Sequence, residues 1–509
     1  MTDSIESANP NSERELLLSV REQPFFKRIR IYMKFSGPGF LQSAMTLGGG
    51  TAGACLVAGS QFMYDLLWVQ PLAMFLGTII LAAVARQTVN TGERPYQAFW
   101  DRLHPAFALV WGITSLLACI IWHIPQYSLA TTSFSDMFHE LGLGRISTWI
   151  FAVPVLIFSI ILVWQYDRGK KGIRIYEIVI KILVWGIVFI FAVVTFASKP
   201  DWGGIWRGFT FHNFSKLFEP GGDQRLLVVI GMLGASVGIN MVFLYPYSLL
   251  KKKWSQAHEG LAFFDLISGM TIPFILATTF IIIGTANTVG RLEPEYKITQ
   301  QTYESLHEQR TPAATAEKLK PLNNLKFTGK EAFTGALRAV LRDDAAADIT
   351  IPLILKQARI PIRSLMDITK VLSGSLGLRL SALILGIGLI AIAFSTITTH
   401  MLAAGFIACE MFKMPSDGWS YRLFALLPAI GIVGAGLKIP FWLAVFTSGI
   451  AVVFMPITLI GFLILQNSVK YLGSAMPVGG KRLAWNIGLG LAILITAAAS
   501  IIRFALKMI

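Results

Sequence analysis

Long apolar runs recur along the whole of this 509-residue chain. A helix needs about 20 apolar residues to cross the hydrocarbon core of a bilayer, so each run predicts a membrane-spanning helix. We distinguish eleven such runs between residues 37 and 507. Only 14% of the residues are charged, against roughly 25% in an average soluble domain. The sequence therefore predicts an all-α polytopic membrane protein of 11 transmembrane helices, embedded in the lipid bilayer.

The basic residues indicate how the chain crosses the membrane. Its formal net charge of +15 is typical of a membrane protein whose lysines and arginines collect in cytoplasmic loops. We expect no nucleic-acid partner. Basic loops follow spans two, four, six and ten, which predicts a cytoplasmic N-terminus and a C-terminus outside. The expected location is the bacterial inner (plasma) membrane, and the sequence leaves the oligomeric state open.

Four segments follow from the distribution of polar and apolar residues. Residues 290–377 are polar and too long for a simple connection, so we expect a partly helical extracytoplasmic insertion that forms either a lid or a cap. The predicted segments are a cytoplasmic N-terminal tail (1–36), transmembrane helices 1–7 (37–289), the insertion (290–377) and transmembrane helices 8–11 (378–509).

Nothing in the sequence suggests an enzyme. The three cysteines lie in apolar runs without a Cys-x-x-Cys spacing, which argues against a disulfide framework or a thiolate metal site. No nucleophile with a partner base, metal-ligand cluster or phosphate-binding loop is recognisable. We therefore expect no catalytic residues, no bound metal centre and no cofactor.

Clustered glycines occur at corresponding places in two predicted spans. Span one includes GFLQSAMTLGGGTAGACLVAG (39–59), with three consecutive glycines at 48–50, and span six contains Gly231, Gly234 and Gly238. A glycine inside a helix costs about 1 kcal/mol relative to alanine, so we expect breaks around 48–51 and 236–240. Spans one and six each begin a five-helix block, which is the pattern of a transporter built from inverted 5+5 repeats.

Such breaks leave backbone N–H and C=O groups unpaired at the centre of the membrane. These groups are tolerated only where they line a cavity or bind something. The alternative explanation is close helix packing through small residues four apart, which fits Gly234 and Gly238 better than the run at 48–50. We therefore expect a substrate cavity where the two breaks meet.

Several stretches resemble the Nramp family of transporters. GPGFLQSAMTLGGGTAGACLVAGSQFMYDLLWV resembles that family's first span, SKPDWGGIWRGF the loop before its sixth span, GMLGASVGINMVFLY the sixth span, and STIT at 395–398 part of the eighth. The resemblance implies a LeuT-type fold with broken helices 1 and 6. It also implies a membrane transporter that moves divalent metal ions, such as manganese and iron, together with protons.

The sequence departs from this family where the family binds its metal. The family carries Asp-Pro-Gly-Asn in its first span, and the corresponding residues here are Gly48, Gly49, Gly50 and Thr51. The family carries Met-Pro-His in its sixth span, and the corresponding residues here are Gly238, Ile239 and Asn240. The family's aspartate carboxylate, asparagine carboxamide and methionine thioether are thus replaced by Gly48, Thr51 and Gly238. A bare divalent ion is therefore disfavoured, because its desolvation would lack a counter-charge.

The expected cavity is neutral and forms hydrogen bonds. The candidate substrate-binding residues are Gly48, Gly49, Gly50, Thr51, Ser236, Gly238, Asn240, Ser395 and Thr396. His123 and His400 are candidates for a proton relay, with a structural, hydrogen-bonded role as the alternative. Glu177 and Lys181, four residues apart, are expected to form an ion pair.

The predicted function is that of an Nramp-related secondary-active transporter with a degenerate metal site. We expect it to carry a small polar, non-metal solute. Two alternatives remain open at this point. The first is a carrier of a hydrated divalent cation such as Mg²⁺, and the second is a non-transporting receptor or sensor that keeps the fold.

Overall fold

Helices make up almost all of the structure, which is a computed structural model. It describes residues 10–20, 23–219, 222–291, 376–437 and 441–505, and in the region between them 295–298, 318–322, 325–328, 330–342, 351, 354, 369 and 372–374. The predicted all-helical membrane architecture is confirmed.

Two short helices precede the first span. They are α1 (Pro10–Val20) and α2 (Phe25–Phe35). α2 is amphipathic and basic, with Phe25 and Phe26 exposed, whereas its Tyr32 is buried with its ring 5.5 Å from that of Phe264. Such a helix suits the membrane surface, where its apolar side chains enter the lipid and its cations stay in water.

The first five spans form one block. Its helices are α3 (Pro38–Thr46) and α4 (Gly49–Phe62), which together make span one, then α5 (Val69–Thr91), the connecting α6 (Pro95–Arg102), α7 (Pro105–Phe138), α8 (Thr148–Tyr166) and α9 (Lys170–Ala197). The short α10 (Trp202–Phe209) leads to the second block.

The second block begins with another divided span. Its first helices are α11 (Asp223–Ser236) and α12 (Ile239–Lys251), which make span six, and α13 (Glu259–Leu266) and α14 (Ile272–Asn287), which make span seven. A π-helical turn at Ile267–Thr271 joins α13 to α14.

A small structured region separates spans seven and eight. Strand β1 (Glu295–Lys297) pairs antiparallel with β2 (Lys326–Thr328), and α15 (Lys330–Val340) follows. Phe333 and Leu337 of α15 are buried in a small core of their own. Most of the predicted insertion at 290–377, and its role as lid or cap, lies outside the described residues.

The remaining spans complete the bundle. They comprise α16 (Leu378–Met411), α17 (Gly418–Phe424) with a 3₁₀ segment (Leu427–Ala435), α18 (Phe441–Gln466) with α19 (Val469–Leu472), and α20 (Gly479–Ala505). The two 34-residue helices α7 and α16 pack along each other through the centre of the bundle.

The number of spans agrees with the sequence prediction. Within the described residues nine helical segments are long and apolar enough to cross a membrane, and a bent pair at 453–475 makes ten. Span one adds the eleventh, because its two halves of 9 and 14 residues are each too short to be counted alone.

A candidate substrate site between two helix breaks

Span one is interrupted for two residues. The helix ends at Thr46, Leu47 and Gly48 are non-helical, and α4 begins at Gly49. Gly48 is extended (φ −73°, ψ 176°), and a Cβ built on it would lie 3.0 Å from the Thr396 methyl group. The expected break is confirmed, but it lies slightly earlier than expected, since residues 49–51 already form the first turn of α4.

Span six is interrupted in the same way. Val237 (φ −140°, ψ 114°) and Gly238 (φ −90°, ψ 157°) are extended, and α12 begins at Ile239. Each break therefore consists of two residues, the second of which is a glycine that precedes a new helix. This equivalence is what inverted repeats predict for the first helices of two five-helix blocks.

Threonine hydroxyls connect the two breaks directly. The Thr46 hydroxyl donates to the Ser236 carbonyl at 2.5 Å, and the Thr51 hydroxyl lies 3.2 Å from the Ala235 carbonyl and 2.5 Å from the Thr46 carbonyl. The last carbonyls of a helix have no partner within the helix. Here the ends of α3 and α11 obtain partners from neutral side chains, so the breaks need no cation to satisfy them.

A narrow cavity lies against these breaks, with a volume of about 330 Å³ that includes its opening to solvent. Span one lines it with Met45, Thr46, Gly48, Gly50 and Thr51. The other spans contribute Trp122, Pro125, Gln126, Ala235, Thr396 and His400. None of these lining residues, all within the described chain, is an aspartate, glutamate, lysine or arginine. The described cavity wall therefore combines polar and apolar groups and has no permanent charge.

Gln126 is a cavity residue that the sequence did not single out. It lies on α7 directly after Pro125, and its Oε1 accepts the Gly49 N–H at 3.0 Å. The next N–H groups of α4, those of Gly50 and Thr51, belong to the first turn and have no partner within the helix. Because Gly50 also lines the cavity, this side of it favours a ligand atom that accepts hydrogen bonds.

Some predicted site residues lie outside the cavity. The hydroxyls of Ser236 and Ser395 bond to the carbonyls of Leu233 and Ile392 in their own helices, at 2.7 and 3.0 Å. That is the usual arrangement for serine within a helix. Gly49 begins α4 and Gly238 belongs to the second break, but neither lines the cavity.

Thr396 connects α16 to the helix that ends at the first break. Its hydroxyl lies 3.0 Å from the Ala44 carbonyl of α3 and 2.9 Å from the Ile392 carbonyl of α16. Thr396 therefore lies where span eight contacts the last turn of α3.

Asn240 is buried behind the cavity wall. Its Nδ2 lies 3.5 Å from the Cys119 Sγ, and its Oδ1 has no partner among the described residues. A Cβ on Gly238 would contact both Asn240 and Trp122. Asn240 is therefore next to Trp122, which lines the cavity, but does not line it itself.

His123 and His400 form a buried pair. Their ring centroids are 5.9 Å apart, and neither ring has a hydrogen-bond partner on either nitrogen within the described chain. His400 lines the cavity, whereas His123 lies behind it with its ring 5.3 Å from that of Tyr127. The structure thus brings the two histidines together, although 277 positions separate them in the sequence.

The described residues contain no group of three or more His, Cys, Asp or Glu side chains arranged to hold a metal ion. The cavity contains two soft, neutral donors, the Met45 thioether and the His400 imidazole. Proteins hold divalent ions mainly with anionic oxygen or thiolate ligands, supplemented by imidazole. This donor set fits a bare divalent ion poorly.

A charged cluster holds the beginning of span one. The Asp265 carboxylate accepts the N–H groups of Gly37 and Gly39 at 2.8 and 2.5 Å, and also the Ser36 hydroxyl. Asp265 thereby caps the N-terminus of α3, where a carboxylate is favourable. Sequence analysis did not foresee this, because the partners are more than 220 positions apart.

Three further side chains complete this Asp265 cluster. Lys252 bonds the Glu177 carboxylate at 2.9 Å, and Lys181 donates to the Ser36 carbonyl at 2.5 Å. The hydrogen bonds of Glu177 therefore go to Lys252 and not to Lys181, the partner expected from the spacing. The ion pair joins spans five and six beside the N-terminus of α3.

A second cluster holds the opposite end of span one. Asp65, just after α4, accepts from Asn213 at 2.5 Å and lies 3.4 Å from Lys216 and 3.5 Å from Arg225. The cavity lies between this Asp65 cluster and the Asp265 cluster, because α3 and α4 are the two halves of one span. Both ends of the span are thus tied to neighbouring helices.

Comparison with known proteins identifies the family. The profile described as "Natural resistance-associated macrophage protein-like" (Nramp) matches residues 39–316 and 345–503. A Listeria welshimeri protein named "Divalent metal cation transporter MntH" is 24% identical over 291 residues, which are 55% of this chain and 61% of that protein. A rice protein named "Metal transporter Nramp3" is 27% identical over 272 residues, 51% of this chain and 46% of that protein.

A solved structure shares the fold. The manganese transporter of Eremococcus coleocola superposes with a TM-score of 0.64 at 15% identity, covering 94% of this chain and 87% of its own. The chain spans less than two thirds of the length of the two sequence relatives. The family profile nevertheless covers most of the chain, and the architecture agrees with it. The protein therefore belongs to the Nramp family and has its LeuT-type fold.

Proposed function

We propose that this protein is a secondary-active transporter that carries a small polar, non-metal solute. The observation that supports this most is the cavity at the two helix breaks, whose described walls are neutral. Unwound backbone at the membrane centre is the usual binding site of transporters with inverted repeats. The relatives from Listeria and rice are both named as transporters.

A neutral cavity disfavours a bare divalent cation. Removing an ion from water costs several kcal/mol per charge unless an opposite charge compensates. The Ser236 carbonyl already accepts the Thr46 hydroxyl proton, and the single Thr51 hydroxyl proton lies between the carbonyls of Thr46 and Ala235. The ligands left to a cation are hydroxyl, carboxamide, thioether and imidazole groups, none of which supplies a counter-charge.

The proposed solute carries a group that accepts hydrogen bonds. The first-turn N–H groups of Gly50 and Thr51 and the positive end of the α4 dipole favour a carboxylate or carbonyl oxygen. The Gln126 carboxamide next to them offers a further donor through its Nε2. The Trp122 ring provides an apolar wall for the remainder of the molecule. These contacts suit a small organic acid or amino acid.

A second candidate is a hydrated divalent cation, because the relatives from Listeria and rice are named as metal transporters. Such an ion would keep part of its water shell and use the polar cavity wall. This candidate differs from the first in that binding would not depend on an organic group.

Replacing Gln126 by leucine is expected to weaken solute binding about 10–100-fold, because a buried hydrogen-bond partner is lost on the solute. The measurement is a thermal-shift screen of amino acids, small organic acids, polyols and divalent cations, repeated on the variant. Gln97→Leu is the matched control, since Gln97 is exposed on α6 and bonds only Asp101 among the described residues.

The outcomes of this screen separate the candidates. Stabilisation by an organic solute that is lost in Gln126→Leu and kept in Gln97→Leu supports the proposal. Stabilisation by Mg²⁺ alone contradicts it and favours the hydrated cation. An organic solute that binds but is never taken up by proteoliposomes would instead favour a receptor or sensor.

We also propose the orientation that the basic loops indicate. The N-terminal tail (1–36) would lie in the cytoplasm of a bacterium, the insertion (290–377) outside, and the C-terminus outside. With this orientation the Asp265 cluster closes the cytoplasmic side of the cavity and the Asp65 cluster closes the outer side.

We infer that the His123–His400 pair carries a coupling proton. The four ring nitrogens are buried without partners in the described chain, and a buried polar group in that state calls for an explanation. Tyr127 on α7 lies against the pair, with its ring 5.3 Å from that of His123, and the 3₁₀ segment contributes Gly431. Two imidazoles 5.9 Å apart repel each other when both are charged, so the pair would hold a single proton.

His400→Gln is expected to lower proton flux at least about tenfold, because glutamine cannot take up a proton. The measurement uses proteoliposomes with an imposed membrane potential and an internal pH-sensitive dye. His212→Gln, in an exposed loop, is the matched control. Equal flux in the two variants would contradict the inference.

A further inference from the structure

A large apolar groove lies on the outside of the bundle, away from the substrate cavity. Its volume is about 1270 Å³, which includes its open side, and it is lined by α7, α8, α9 and α16. Of its lining residues only Gln165 is polar. Pro154, inside α8, is one of them, and a proline in a helix interior removes a hydrogen bond and bends the helix.

The groove follows the membrane normal for the length of a lipid chain. Its lining on α8 extends from Phe151 to Gln165, a distance of about 21 Å at 1.5 Å per residue. One leaflet of the hydrocarbon core is about 15 Å thick. An acyl chain that starts at the Gln165 end therefore fits entirely within the groove.

The Gln165 end of the groove meets a basic loop. Arg168, Lys170 and Lys171 are exposed there. The acidic residue of the loop, Asp167, is already engaged, since it lies 3.2 Å from Arg422 and accepts the Gly418 N–H at 3.1 Å. Asp167 is therefore not available to neutralise Arg168, Lys170 and Lys171 beside the groove.

We propose that the groove binds one acyl chain of an anionic glycerophospholipid whose phosphate lies against Arg168, Lys170 and Lys171. Apolar contact alone gives no selectivity inside a bilayer, because lipid tails are as apolar as the groove. The headgroup charge therefore determines the lipid class. Clustered lysines and arginines at the membrane surface attract anionic lipids in this way.

The bound acyl chain would contact α16, the helix that carries part of the substrate site. Phe394 of α16 lines the groove, and two positions later Thr396 bonds the Ala44 carbonyl of α3. A lipid in the groove therefore packs against α16 beside this link. The proposal is independent of the identity of the solute, since it needs only the groove and the loop.

The test is native mass spectrometry of the full chain with phosphatidylglycerol or phosphatidylcholine. The wild-type protein is expected to retain one phosphatidylglycerol at least about tenfold better than phosphatidylcholine. The triple variant R168Q/K170Q/K171Q is expected to lose this preference. Val179→Trp, which fills the groove, is expected to lose the retained lipid altogether.

Matched controls separate this site from general lipid adhesion. K470Q/K481Q removes two exposed cations elsewhere, and Ile182→Trp adds the same bulk to a lipid-facing position of α9 outside the groove. Both are expected to behave like wild type, and melting curves in phosphatidylcholine nanodiscs check that every variant is folded. The proposal is overturned if wild type retains both lipids equally, or if the triple variant or folded Val179→Trp keeps its phosphatidylglycerol.

Discussion

Replacing Asp265 by alanine is expected to lower the free energy of unfolding by about 3–5 kcal/mol, the usual loss when one partner of a buried charged network is removed. The substitution leaves the Ser36 hydroxyl and the N–H groups of Gly37 and Gly39 without their acceptor. It also leaves the Lys252–Glu177 pair with one negative charge fewer beside it. The start of α3 should then become the least stable part of the bundle.

Thermal unfolding in detergent and hydrogen exchange over residues 36–46 measure this effect. Asp101→Ala is the control, because Asp101 is exposed and bonds Gln97 on the surface. Asp265→Asn should show a smaller loss, since it keeps a carbonyl oxygen as acceptor. If Asp265→Ala melts like Asp101→Ala and its α3 amides exchange no faster, the assigned role of Asp265 is wrong.

Replacing Gly48 by aspartate is expected to raise manganese affinity at least about 100-fold, because a carboxylate supplies the counter-charge that the cavity lacks. Gly48 lines the cavity, and the family has an aspartate at the corresponding position. Its extended backbone precedes α4 as an N-cap, a position that favours aspartate. The new Cβ would lie 3.0 Å from the end of the Thr396 side chain, which must shift slightly.

Isothermal titration of manganese into wild type and variant measures the gain. Gly480→Asp is the matched control, because a side chain at Gly480 meets nothing within 4 Å and places the carboxylate far from the cavity. A folded Gly48→Asp protein that binds manganese no better than Gly480→Asp would show that charge is not what excludes the metal.

Most of the fold could be predicted from the sequence, because the features that determine it are local. Apolar runs of membrane length define the spans, and glycines in spans one and six mark the breaks. The break in span one was expected at 48–51 and lies at Leu47 and Gly48. Glycine is tolerated in the first turn of a helix, so three consecutive glycines indicate a break without defining its position.

The site was only partly predictable, since hydropathy does not say which side of an apolar helix faces a cavity. Gly48, Gly50, Thr51 and Thr396 line the cavity, and their role in binding a substrate stays a prediction. Gln126 and Trp122 were missed, although a glutamine after a proline inside a span is a signal worth testing in similar chains.

The charged clusters were less predictable still. The pairing of Glu177 with Lys252 joins residues 75 positions apart, whereas the sequence suggested its neighbour Lys181. Sequence spacing identifies partners only within one helix. The capping of α3 by Asp265 depends on the packing of span seven against span one, which no local pattern reports.

The most direct test of the central claim is uptake by proteoliposomes that contain the wild-type protein. Labelled manganese and a panel of labelled amino acids and organic acids are compared under an inward proton gradient. The neutral cavity predicts saturable uptake of at least one organic solute and no saturable uptake of manganese. Saturable manganese uptake with no organic solute transported would contradict the account.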